Sequence, residues 1–345
     1  MRLCCSLVKP ECRDVNRRPD PRPIPPTSKD NMPDLEIVAR MSRDIREAAE
    51  TLGDDEARFL VDAYYIMQDD RKRAFAQGRA LDGSAEPNLV IGWLAAQSST
   101  VENQIKSALD RYTNAHVMGS FMRSVYGIGP VISAGLLAHI YMGDWCSVCH
   151  GHDEEDCAKF QKDKKRKLPA HDWTPVESCP TAGHIFQFAG IAADGQKPWE
   201  KGVKRPFNAQ LKTLCWKLGQ SFLKFSNQDE CIYGHHYREQ KAKYIARNDT
   251  DQYRARAVER AKHVGKTTEA FKHYSIGKLP PGHIDAMARR WAVKRFLADL
   301  HIAWYWTVYS RLPPLPYPIA VLGHAHYDYS ALQGIPELWE ALRNR

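Results

Sequence analysis

With 345 residues, 43% of them hydrophobic and 26% charged, the chain can bury the core of one large or two modest domains. No apolar run reaches the roughly 20 residues that a membrane span requires, and the opening MRLCCSLVKPECRD is too charged and too short in its apolar stretch for a secretory signal. A cytoplasmic protein with no membrane partner is therefore expected, its nine cysteines serving as thiols or metal ligands rather than as a disulfide framework, and its formal charge of +8 favouring polyanions.

Residues 1–33 combine proline and arginine (RRPDPRPIPPTSKDN) without apolar periodicity. They bury too little surface to offset the entropy of ordering and read as a disordered tail. A helical scaffold is predicted over 34–118. Val38, Met41, Ile45, Ala48 and Leu52 recur at three- and four-residue spacing and form one apolar stripe. The Gly53–Asp54–Asp55 break ends that helix and supplies an acidic cap for a second one through Leu60, Ala63, Tyr64 and Met67. Third and fourth helices are expected over 88–97 and 100–112. These antiparallel helices suit a scaffold or a homo-oligomer contact.

The segment FMRSVYGIGPVISAGLLAHI, 121–140, reads as a helix-hairpin-helix. Two short helices meet at Gly127–Ile128–Gly129, where glycine permits unusual backbone angles and close approach. Pro130 suits the first position of the second helix, whose missing amide costs nothing there. Ile128 plugs the space between the helices, Ala134 permits close packing, and Leu136, Leu137 and Ile140 face inward. Amides at the turn and at the helix start then form an anion site suited to a phosphate, a contact that positions a duplex without reading its bases.

An insert rich in cysteine and histidine interrupts the helices over 144–184. WCSVCHGHDEEDC supplies Cys146-x2-Cys149, a knuckle that can give two thiolates to tetrahedral zinc. The remaining ligands are to be drawn from Cys157, Cys179 or a histidine; the set Cys146, Cys149, Cys157 and Cys179 is the expected structural zinc site. His171 and the GHAH run at 323–326 are expected to be polar loop residues.

Helices resume over 207–225, 237–263 and 284–309, the last with Val293, Phe296, Leu297, Leu300, Trp304 and Val308 on one face. Between them lie three basic stretches. Residues 201–217 hold Lys201, Lys204, Arg205, Lys212 and Lys217 with no acid, and Asn208 stands among them. Trp199 and Phe207 nearby are candidates for base stacking. Residues 238–266 carry nine basic and four acidic side chains and read mostly as a solvated helix. Arg289, Arg290, Lys294 and Arg295 form a tighter patch. The proline-rich RLPPLPYPIA then opens a C-terminal tail, 311–345.

In this order of pieces the chain resembles the C-terminal domain of the DEDD-type insertion-sequence transposases, the bridge-RNA-guided recombinases of the IS-one-ten and IS-one-sixteen type. The matching segments are GIGPVISAGLLAHI (127–140), FAGIAADG (188–195), KRPFNAQLKTLCWKLG (204–219) and HIDAMARRWAVKRFLADL (283–300), and the similarity covers roughly 119–310. The resemblance implies a helical DNA-binding domain, with structured RNA as a further partner. Two pieces of the family's machinery are not recognisable. Residues 1–118 offer no strand-borne acidic set for a RuvC-like metal centre. The loop AADGQKPWEKGVKRPFN also lacks the serine that would attack phosphorus.

An all-α protein is therefore expected, with a helical scaffold followed by a helix-hairpin-helix domain that carries the Cys/His-rich loop. Gly127, Ile128, Gly129, Lys201, Lys204, Arg205, Asn208, Lys212, Arg289 and Arg290 are the candidate nucleic-acid contacts. The expected activity is DNA binding in an accessory or catalytically incomplete form. The alternatives are an active recombinase that borrows its catalytic centre from a partner chain, and a protein-interaction scaffold.

Overall fold

The computed structural model describes residues 40–81, 89–162, 168–192, 202, 205–315 and 328–345. The chain divides into two units, Met1–Val38 and Ala39–Arg345, and every element below belongs to the second. The proline- and arginine-rich tail lies outside the described residues. The architecture is all-α, with one two-stranded ribbon.

A short helix, α1 (Arg43–Ala48), is capped by the Ser42 hydroxyl, which accepts from the Ile45 amide. Two long helices follow, α2 (Asp54–Leu81) and α3 (Leu89–Ala115). They run antiparallel: Tyr112 donates to Asp54 near one end, while Arg71 and Gln68 meet Glu102 further out. Glu102 is 7% exposed, and the Arg71 ion pair at 2.5 Å compensates its burial. α3 is one helix where two were expected. Its Gln97-Ser98-Ser99-Thr100 stretch reads as a weak helix former, but Ser98 is buried and the Thr100 hydroxyl bonds the Ala96 carbonyl at 3.0 Å, so packing overrides propensity.

The hairpin consists of α4 (Gly119–Ser124) and α5 (Pro130–His139). α5 packs against α2, α3 and, through Gly135, the next long helix, α8 (Ala209–Lys224). A methyl group at Gly135 would stand 2.7 Å from Leu214 Cδ2, so the two helices approach over a bare backbone. The Arg58 guanidinium closes the C-terminal end of α5 by donating to the Ala138 carbonyl. At the start of α8, the Asn208 carboxamide oxygen accepts from the Leu211 amide at 3.0 Å.

The insert contributes β1 (Asp144–Cys146), α6 (Glu154–Lys162) and β2 (Pro175–Glu177). The strands pair antiparallel, with Trp145 opposite Val176. α7 (Ala182–Phe188) leads back to the core. After α8 come α9 (Ile232–Asp249), α10 (Arg254–Ala261) and α11 (Glu269–Ser275). The single helix expected over 237–263 is broken where Asp251 takes φ of 60°. Next is α12 (Pro281–Tyr309), the spine of the fold, which packs against α7, α8 and α9. Most of the apolar face read from its sequence is buried: Val293, Phe296, Leu297, Leu300 and Trp304 join Leu136, Leu211, Leu218 and Phe222 in one core, whereas Val308, in the last turn, is exposed. The Asp299 carboxylate, fully buried, accepts from Tyr233 Oη at 3.0 Å and pairs with Arg295 at 3.5 Å.

The C-terminal stretch is more than a tail. α13 (Pro336–Arg343) inserts Leu338 and Leu342 into the main core. No described helix is long and apolar enough to cross a membrane.

Candidate nucleic-acid interface and metal centre

The hairpin turn is built largely as the glycines suggest. Gly127 takes φ of 93°, a left-handed conformation that L side chains rarely adopt. Its carbonyl accepts from the Ser221 hydroxyl, which ties the turn to the C-terminal half of α8. Ile128 is 3% exposed and plugs the interhelical space, so any contact it makes with a ligand is through its backbone. Gly129 differs from Gly127: its φ of −97° is open to any residue, and a Cβ there would meet nothing within 4 Å. It occupies the N-cap of α5, and no side chain caps the helix there. Space is therefore open beside Gly129, and the positive dipole end of α5 carries no side-chain cap.

The pieces that follow the hairpin come together around Phe207. Gly190, with φ of 65°, lies beneath this ring; a Cβ would stand 2.7 Å from it. Lys212 Nζ lies over the same ring, 4.2 Å from the centroid, and a Cβ at Gly190 would also stand 3.2 Å from Lys212 Cδ. The Asn208 amide donates to the Phe188 carbonyl at 2.8 Å. Phe207 is thus engaged in packing, and Asn208 is a helix cap whose carboxamide also lies 3.4 Å from His139 Nδ1. Lys201 and Lys204 lie outside the described residues, as does Trp199.

Arg205 is exposed, and Lys212 is half-buried. Burial, then the positive charges of Arg290 and Arg205, depress the Lys212 ammonium below its ordinary range. Residues from two separate basic stretches, Arg205 and Lys212 from one and Arg290 from the other, thus share one electropositive region. Of the basic patch on α12, Arg290 alone is exposed. Arg289 pairs with Asp285 at 2.8 Å, Lys294 lies over the Phe186 ring, and Arg295, half-buried, pairs with Asp299. Burial and then the neighbouring Arg256 lower the Arg290 guanidinium; Arg260 and Arg289 act in the same direction. Arg256 and Arg260, on α10, belong to the stretch expected to be mostly a solvated helix. Nothing in the linear sequence indicated that α10 stands beside α12.

The hairpin turn and Lys212 are not adjacent. Ser221, which touches the turn, follows Lys212 by nine residues on α8, about 14 Å along the helix axis. That is the rise of about four base pairs of duplex.

The metal-ligand reading of the insert is sharpened and corrected. Cys146, Cys149, Cys157 and His171 bring one ligand atom each to within 4.8 Å of one another, and the three thiols are buried. Donors about a tetrahedral zinc, with bonds of about 2.3 Å, stand about 3.8 Å apart. The expected fourth ligand, Cys179, is not in this group; its carbonyl accepts from His301 Nε2 at 2.8 Å, and burial pushes its thiol up. His171, expected to be a polar loop residue, takes that place. Its Nδ1 is 2.8 Å from the Pro169 carbonyl, which leaves Nε2 to face the thiols. That nitrogen is buried and has no hydrogen-bond partner, an orphan that a metal ion would satisfy.

Local backbone supports the same chemistry. His150 takes φ of 60°, which curls the knuckle so that the Gly151 amide points at Cys149 Sγ, 3.3 Å away. Burial raises the Cys146 thiol, but amides of Cys149, Thr174 and Val148 outweigh it and hold the group at about 5. Burial and then the adjacent sulfurs push Cys157 up to about 12, while the Pro169 carbonyl raises His171 to about 9. Three thiols this close cannot all ionise without a cation among them. The insert is fixed to α12 at its ribbon: Tyr305 Oη donates to Glu177 at 3.0 Å, and Tyr309 Oη donates to Asp144 at 2.9 Å.

Comparison with protein-family models, curated proteins and solved structures finds no match.

Proposed function

We propose that this chain binds nucleic acid, chiefly DNA, as a relative of the transposase C-terminal domain that lacks a catalytic centre of its own. The observation that carries the reading is the meeting of Arg205, Lys212, Arg256, Arg260 and Arg290. Burial first, and then these like charges, depress Lys212 and Arg290, and a polyanion would neutralise the charge gathered there. The uncapped start of α5 supplies a second anchoring point along the same helix pair. Contacts of this kind grip phosphates and release counterions, so affinity falls steeply with salt. Lys212→Ala and Arg290→Ala together are expected to weaken duplex binding at least tenfold in fluorescence anisotropy, with the fold unchanged by circular dichroism. Wild-type affinity in that double variant would refute the surface.

The four-donor group holds a structural zinc ion in this reading. Cys146, Cys149 and Cys157 would bind as thiolates and His171 through Nε2, and the ion would bridge the knuckle, α6 and the 168–171 segment. A second reading, a scaffold that pairs with another copy of itself, is favoured by one feature. Phe59, Ile66, Val90, Trp93 and Leu94 are exposed on the α2–α3 arm.

A further inference from the structure

Beside the basic region lies a cleft of about 560 Å³, between α10, α11 and the start of α12. Tyr274, Pro281 and Ala286 give it largely apolar walls, and Arg260, His273 and His283 stand among them. The carboxylate at its edge, Glu269, is held by Lys272 at 2.5 Å. Arg256 reaches the neighbouring wall, where its guanidinium lies 3.8 Å from Met287 Sδ. Arg256, Arg260 and Arg290 have no ion-pair partner among the described residues. His283 Nδ1 lies 2.8 Å from Tyr274 Oη, and burial with the three arginines keeps the imidazole neutral down to about 4.

A duplex backbone needs only charge at a surface; it would leave this apolar recess uncovered. The volume lies in the range that holds small molecules, about 300–1,000 Å³. A ligand that matches both the recess and its cationic border has a flat apolar part joined to a phosphate. That is a nucleotide whose base is not paired.

We propose that this cleft receives an unpaired nucleotide of the bound nucleic acid, with its base against Tyr274, Pro281 and Ala286 and its phosphate on Arg260 and Arg256. The proposal rests on the nucleic-acid reading above and adds a preference for strands that are gapped or single. A free mononucleotide carries the same chemistry, so the test separates the two sources.

Anisotropy is measured with a blunt duplex, with the same duplex carrying a short single-stranded gap, and with excess thymidine monophosphate as competitor. The gapped probe is expected to bind about tenfold tighter, the worth of one stacked base. Ala286→Trp and Gly282→Trp, each of which fills the cleft from a lining position outside the cationic set, should each remove that preference while blunt-duplex affinity stays within about twofold. Equal affinity of the wild type for both probes overturns the proposal, as does a preference that survives in both variants. Full displacement of the gapped probe's advantage by the mononucleotide at comparable affinity would reassign the cleft to a free nucleotide. Salt-sensitive duplex binding without a gap preference sinks this inference alone, whereas no binding to any probe sinks the nucleic-acid reading with it.

Discussion

Replacing each hairpin glycine in turn with alanine separates backbone strain from function. At Gly127 the added methyl would meet Phe225, Phe222 and Ser221 at 3.5 to 3.6 Å, ordinary contact distances, so sterics cost nothing. The φ of 93° does cost: an L residue held in the left-handed region loses about 1–2 kcal/mol. At Gly129, φ is −97° and the methyl meets open space. Alanine there gains about 0.4–1 kcal/mol from a less flexible unfolded chain. It loses a similar amount as a poorer N-cap, for a net effect within about 0.5 kcal/mol. Urea denaturation of the two variants should therefore show Gly127→Ala destabilised by about 1–2 kcal/mol and Gly129→Ala nearly unchanged. Binding should show the reverse order of interest, because the Gly129 methyl projects where a phosphate would approach the start of α5. Equal destabilisation by the two substitutions would refute the assigned backbone geometry. Wild-type duplex affinity in Gly129→Ala would remove the helix start from the interface.

Other consequences follow from the metal group, the core and the arm. Purified protein is expected to carry one zinc ion per chain by elemental analysis; His171→Ala should lose it and melt several degrees lower, whereas Cys179→Ala should retain it. The reverse pattern would restore the thiol as the ligand. Burial holds His301 near 4, well below its usual 6.5, so the unfolded state binds a proton that the folded state refuses between these values. This one group should accordingly withdraw about 3 kcal/mol of stability as pH drops from about 6.5 to 4, and His301→Gln should make the pH slope shallower in urea melts; an unchanged slope would assign the acid sensitivity elsewhere. On the arm, Val90→Glu with Trp93→Glu should convert a dimer to a monomer in light scattering, and a monomeric wild type would exclude self-pairing there.

Much of the fold was legible because helices announce themselves by spacing. The apolar stripe of α12 and the glycine-proline signature of α5 lie where periodicity and capping placed them. The C-terminal helix α13 also had a readable signal, Pro336 followed by Leu338 and Leu342, but the proline-rich run before it drew the whole segment into a tail. The candidate site was legible only where its chemistry is local. Cys146 and Cys149 share a knuckle, and Cys157 follows within one helix, so three ligands could be named. His171 comes 14 positions after Cys157, beyond a lysine-rich run, and what marks it is the Pro169 carbonyl on its Nδ1, a tertiary detail. Cys179 looked equivalent because a cysteine resembles a cysteine in sequence; its place near His301 shows otherwise. The two glycines of the hairpin likewise look alike in sequence, yet one alone needs the left-handed region. The meeting of α8, α10 and α12, which gathers the cations, depends wholly on packing and leaves no mark in any one segment.

The central claim, that the gathered cations of α8 and α12 hold phosphates, is tested most directly by the salt dependence of duplex binding. Each phosphate neutralised contributes a slope of about −0.9 to log affinity against log salt. The account predicts a steep negative slope for the wild type that becomes shallower by about 2 when Lys212 and Arg290 are both replaced with alanine. A slope near zero, or one that the double variant leaves unchanged, would contradict it.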